Sequence, residues 1–135
     1  MSDPVDEVLE RDARALLSSC DVVDLHVDTM IPARLYGYDP MKSHGPGLWR
    51  GRLFGHLDLP RIQEGGLTGA MWSITTQPFR SAASRWSRFL ANLERLEALA
   101  AKSDGALMIV RNLDEYRAAR ARGAHGIFPA VQGGN

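Results

Sequence analysis

ALMIVRNLDEYRAARARGAHGIFPAVQ, residues 106–132, holds two apolar runs, 106–110 and 126–132, on either side of a charged stretch that ends at Gly123. The runs are nearly continuous instead of alternating, as expected of strands covered on both faces. The stretch between them, 112–123, reads as a helix closed by glycine. Strand, helix and strand in that order make a parallel βαβ unit.

The same alternation extends toward the N-terminus. Trp86, Phe89, Leu90, Leu93, Leu96 and Ala100 recur at steps of three and four and predict a helix over 81–103. LTGAMWSITT (67–76) reads as a strand, and DLPRIQEGG (58–66) as a short helix with Asp58 as cap and Pro60 in its first turn. VVDLHVD (22–28) is the first strand, running out by Pro32, and 34–55 reads as a long irregular rim or lid. Val5, Leu9, Ala13, Leu16 and Leu17 form one stripe of an N-terminal helix, with Ser2 or Asp3 as its cap, that should lean on a larger body.

Residues 1–135 are therefore expected to be a single α/β domain, with 1–20 as a helical extension. The leading closure is a TIM (β/α)8 barrel of the metal-dependent hydrolase type. A full barrel takes eight βα units and about 250 residues. The chain reads as the N-terminal portion of one.

Composition narrows the function. Sixteen basic and sixteen acidic residues cancel, which leaves no overall field to gather nucleic acid. No apolar run reaches membrane-spanning length, and the acidic, amphipathic start is unlike a secretory signal, so a cytoplasmic protein is expected. Cys20 is the single cysteine, expected to be a small buried apolar residue. No GxSxG sequence supports a serine nucleophile.

His26 and Asp28 stand two apart near the end of the first strand, so their side chains leave from one face. An imidazole and a carboxylate so placed can each give one short bond to a cation such as zinc. The bland reading of His26 is a hydrogen-bonded core histidine. His-x-Asp alone is weak, because it recurs at His56-Leu57-Asp58, where Asp58 serves better as a helix cap. His44 and His125 lack partners at ligand spacing and read as loop or solvent-exposed histidines, Trp72 reads as packing, and RSAASRWSR (80–88) as a solvated helix face.

VVDLHVDT, DLPRIQEGGLTGAMWSITT and GIFPAVQGGN, in this order, resemble the membrane dipeptidase (renal dipeptidase) family of zinc peptidases. The resemblance spans most of 21–135. It implies that His26 and Asp28 bind one of two zinc ions, and that the position of Gln132 is that of a glutamate bridging both. The remaining ligands and substrate-binding groups of the family come after that strand.

Gln132 departs from the pattern. A glutamate offers two anionic oxygens, whereas glutamine offers one neutral carbonyl oxygen and a donor. Two dications about 3.5 Å apart repel by on the order of 20 kcal/mol at an effective dielectric near 20. Losing one bridging charge implies at most one zinc here, with Gln132 as a weak third ligand or a group that orients water. The bland reading is a strand-end amide bonded to its neighbours, with Gly133 and Gly134 turning the chain.

The expected function is a zinc-dependent, dipeptidase-like hydrolase that cleaves the amide bond of a small dipeptide with a metal-bound water. The alternative is a degenerate, non-catalytic member acting as a binding or structural protein. An open sheet edge leads us to expect association, a homodimer being one form. Residues 1–135 alone are expected to show no appreciable turnover.

Overall fold

The structure is a computed structural model that describes residues 4–44, 57–76 and 79–132. The order is α1 (Pro4–Ser19), β1 (Val23–Val27), α2 (Met30–Tyr36), α3 (Leu59–Glu64), β2 (Gly69–Thr75), α4 (Ala82–Ala101), β3 (Leu107–Ile109), α5 (Leu113–Ala121) and β4 (His125–Gln132). Much of the expected 34–55 excursion, His56, the Ser2 or Asp3 cap and the Gly133–Gly134 turn lie outside the described residues.

The four strands form one parallel sheet in the order β1-β2-β4-β3. β3 therefore lies outside β4 instead of between β2 and β4, a departure from strictly consecutive units. Crossovers between parallel strands are right-handed. The steps β1 to β2 and β2 to β3 move one way across the sheet, while β3 to β4 moves back, so its helix must lie on the opposite face.

The side chains bear this out. Ala70, Trp72 and Ile127 share a core with Val27, Met30, Ile62, Leu96 and Leu107, so α2, α3 and α4 cover this face. Gly69 and Gly126 are paired in register and belong to the other face. There the Tyr116 ring of α5 lies so close that an added Cβ would stand 3.0 Å from it at Gly69 and 2.8 Å at Gly126. The absence of a side chain at both positions lets α5 reach the sheet. Tyr116 packs on Phe128 at 5.5 Å between ring centroids, and its hydroxyl bonds Thr68 Oγ1 at 2.7 Å.

A proline inside a strand argues against a central position, yet Pro129 is in β4. Gly126 N–H donates to Thr68 on the β2 side, whereas Ile127 accepts from Val110 on the β3 side. By alternation Pro129 faces the β3 side, two residues past the Ile109–Ile127 pairing at which β3 ends. Its missing donor costs no ladder bond.

Several expectations are corrected. Met30–Tyr36 is a helix, because a proline at its third position still falls in the first turn, where no intrahelical N–H bond is lost. Cys20 is exposed, since it ends α1 at the surface. Val5, Leu9 and Leu16 of the α1 stripe are also exposed, and the stripe meets the rest of the chain through Leu17, half-buried beside Gly66. In α4 the buried line runs through Asn92 and Leu96, and Trp86 is 61% exposed. The helix is rotated so that Asn92 Nδ2 can donate to the Thr75 carbonyl at 3.3 Å.

His125 is corrected too, being buried within β4. Its Nδ1–H donates to Leu67 O at 2.9 Å, so Nε2 accepts from Trp72 Nε1–H at 3.2 Å. Burial lowers its pKa below 6.5, only partly opposed by the Leu67 hydrogen bond. The unfolded chain thus takes up this proton first. Stability is full above about pH 6.5 and declines as pH falls below it, by at most about 1.4 kcal/mol per pH unit for one proton. Urea unfolding from pH 7.5 to 5 should show this decline, and His125→Gln should flatten it. Equal slopes in both proteins would remove His125 as the cause. His44, as expected, is in a loop, half-buried and stacked on Tyr38 with ring centroids 4.0 Å apart.

Candidate metal centre

β1 carries an irregularity in its pairing with β2 between Asp24 and Val27. Val27 pairs with Trp72 and turns into the helix-covered core. His26 and Asp28, its neighbours, therefore project from the other face, at the C-terminal end of the strand.

His26 Nε2 lies 2.9 Å from Asp28 Oδ2, and His26 Nδ1 lies 3.5 Å from Ser73 Oγ on β2. The backbone N–H of His26 donates to Asp24 Oδ1 at 2.8 Å, which ties down the irregular segment. Both side chains are about half exposed, at 55% and 43%. Asp28 Oδ1 is nevertheless buried and has no hydrogen-bond partner among the described residues. A carboxylate oxygen out of water and without a donor is costly. A cation answers that need.

Two ligand atoms on a tetrahedral zinc, each about 2.05 Å from it, stand roughly 3.3 Å apart. The His26–Asp28 pair would have to open by only about 0.4 Å to admit such an ion. The residues present fit a divalent cation as two of its ligands. Among the described residues no group of three or more His, Cys, Asp or Glu gathers around one point.

Gln132 is on the same face, because Thr75 pairs with Gln132 in register and Thr75 is two residues from Ser73. It sits two strands from β1, about 10 Å across the sheet. Its Oε1 accepts from Thr75 Oγ1 at 3.2 Å, and its carbonyl accepts from Thr76 N–H at 3.4 Å. Ser73 and Thr75, not singled out in the sequence, form the row between the two sides of the site. Their alternation with Trp72 and Ile74 was the available signal.

A family model described as membrane dipeptidase (peptidase family M19) matches residues 10–135. The chain belongs to the membrane dipeptidase family. Among solved structures, a metallopeptidase described as dipeptidase AC of family M19 matches with a TM-score of 0.66 and 24% identity over 83% of this chain and 35% of its own. A metallopeptidase from Rhodobacter sphaeroides, liganded with a phosphinate mimic of the dipeptide L-Ala-D-Ala, matches with a TM-score of 0.66 and 22% identity over 83% of this chain and 38% of its own. No curated protein sequence matches. This membrane dipeptidase homologue thus spans little more than a third of the solved chains it resembles, and its parallel sheet is part of their TIM-barrel fold. No helix among its described residues is long and apolar enough to cross a membrane.

Proposed function

We propose that this chain contributes the first metal-ligand pair, His26 and Asp28, to a zinc-dependent dipeptidase. The observation that carries the reading is the buried Asp28 Oδ1, without a hydrogen-bond partner among the described residues, beside a histidine aimed the same way. Family membership supports a metal and a dipeptide substrate, as does the dipeptide mimic bound by the R. sphaeroides protein. When bound, the cation supplies Lewis acidity, polarising the scissile carbonyl and acidifying a water. The chain's own residues orient the parts: Ser73 sits at His26 Nδ1, where it can fix the imidazole, and Asp28 supplies the negative charge. Further ligands and the groups that hold the substrate are assigned to segments outside these residues.

Gln132 favours a second reading, a binding member without turnover, because its side chain offers one neutral oxygen in place of a carboxylate and that oxygen already accepts from Thr75. Gln132→Glu separates the two. Zinc content by mass spectrometry and hydrolysis of a dipeptide panel are measured for both forms of the native-length product. Added zinc and activity that rises at least about tenfold in Gln132→Glu mark the natural protein as degenerate. Equal activity in both forms marks a working site with one ion. Absence of zinc from both forms refutes the metal reading itself.

A further inference from the structure

β1 does not advance in step with β2. Asp24 pairs with Ala70 and Val27 with Trp72, so two residues of β1, Leu25 and His26, stand against one of β2, Met71. This is a β-bulge, one residue more on one strand than on its partner. Its consequence follows from alternation. Ala70, Trp72 and Ile74 are fully buried, on the helix-covered face of β2. A β1 that continued regularly from the Asp24–Ala70 pair would set His26 against Trp72 and Asp28 against Ile74, and both would point into that core. The extra residue sets Val27 against Trp72 instead and turns His26 and Asp28 to the face of Ser73. The bulge therefore decides on which face the pair stands.

A bulge takes backbone groups out of the ladder. The His26 N–H is satisfied within the strand itself, by Asp24 Oδ1 at 2.8 Å. An aspartate that accepts from the N–H two residues on closes a local ring and fixes the backbone between. Leu25, the residue inside that ring, is 71% exposed and so contributes little packing of its own. Ser73 is the other hold on His26, but its Oγ lies 3.5 Å from Nδ1, the outer limit of a hydrogen bond. Asp24, at 2.8 Å and with a charged acceptor, is the stronger of the two.

We propose that Asp24 is a positioning residue for the metal ligands: its carboxylate closes the β1 bulge and so sets the direction in which His26 presents its imidazole. It acts through the backbone and needs no contact with the ion. Its effect on zinc rests on the reading of His26 and Asp28 as ligands, whereas its effect on the direction of His26 does not.

Two neutral variants of the full 135-residue chain separate the acceptor from the charge. Asp24→Asn keeps a carbonyl oxygen that can take the place of Oδ1, and Asp24→Ala removes it. The side chain is exposed, so both should fold, which urea unfolding checks. Hydrogen exchange of the His26 amide, and the nuclear Overhauser contact between the His26 ring and the Ser73 β protons, are read without metal. Competition against a chromophoric chelator gives the zinc affinity. In Asp24→Ala the amide should exchange at least about tenfold faster than in Asp24→Asn, the Ser73 contact should be lost, and zinc should bind about tenfold more weakly, the change that one lost hydrogen bond gives. An aspartate with a merely structural role would lower the urea midpoint and leave these three differences near zero. Equal exchange and an equal Ser73 contact in the two variants overturn the proposal, as does equal zinc affinity. If the natural chain binds no zinc, the metal reading falls by itself, and exchange and the Ser73 contact still decide the role of Asp24. Should Asp24→Ala fail to fold, Asp24→Val, a better strand former that also lacks an acceptor, takes its place.

Discussion

Asp28→Asn lowers the zinc affinity of the chain by about 100-fold or more while its stability stays within about 0.5 kcal/mol of the natural protein. The amide keeps the size of the carboxylate but loses its charge, and half of its polar capacity becomes a donor that repels a cation. The side chain is 43% exposed, so little packing depends on it. Oδ1 has no hydrogen-bond partner among the described residues, and the neutral amide that replaces the carboxylate takes away the negative charge a cation would meet there. His26→Gln should behave alike, because it removes the nitrogen that faces Asp28 Oδ2 at 2.9 Å. Competition against a chromophoric chelator gives the affinity, and urea unfolding gives the stability. Zinc affinity unchanged in both variants would sink the assignment of these two residues.

The spacing of His26 and Asp28 was legible because one strand alone puts them on one face. Their neighbours were not legible in the same way. Ser73 reaches His26 only through the pairing of β1 with β2, a contact across 47 residues. The strands at 67–76, 106–110 and 126–132 could be read from continuous apolar runs, but such runs do not say which strand lies beside which. That choice depended on how β3 and α5 return across the sheet, and its trace in the sequence is indirect: glycine at 69 and 126, where Tyr116 comes close. Pro32 misled because the end of a strand and the first turn of a helix accept proline equally well. His125 has no partner at ligand spacing and so read as a loop or exposed histidine, although its partners, Leu67 and Trp72, are 58 and 53 residues away.

Trp72→Ala should cost about 3–5 kcal/mol of stability, the range for emptying a large buried aromatic site. Single domains have about 5–15 kcal/mol in all, so the variant should be close to unfolding at 37 °C. Trp72 is fully buried at the centre of the core between β1, β2, β4 and the helices α2, α3 and α4. Its ring meets His125 edge-on, with centroids 6.2 Å apart, and its Nε1–H satisfies the imidazole that Leu67 holds from the other side. Removing it therefore opens a cavity and also leaves a buried acceptor without a donor. Trp72→Phe isolates much of the second effect and should cost about 1–3 kcal/mol. In that background His125→Leu should cost less than it does alone, because the acceptor it removes is already unsatisfied. Urea unfolding of the four proteins gives the coupling. A loss below about 1 kcal/mol for Trp72→Ala, or strict additivity of Trp72→Phe and His125→Leu, would mean that the sheet and its helices are held together elsewhere. In that case the alignment of β1 with β2, which brings His26 to Ser73, would need another anchor.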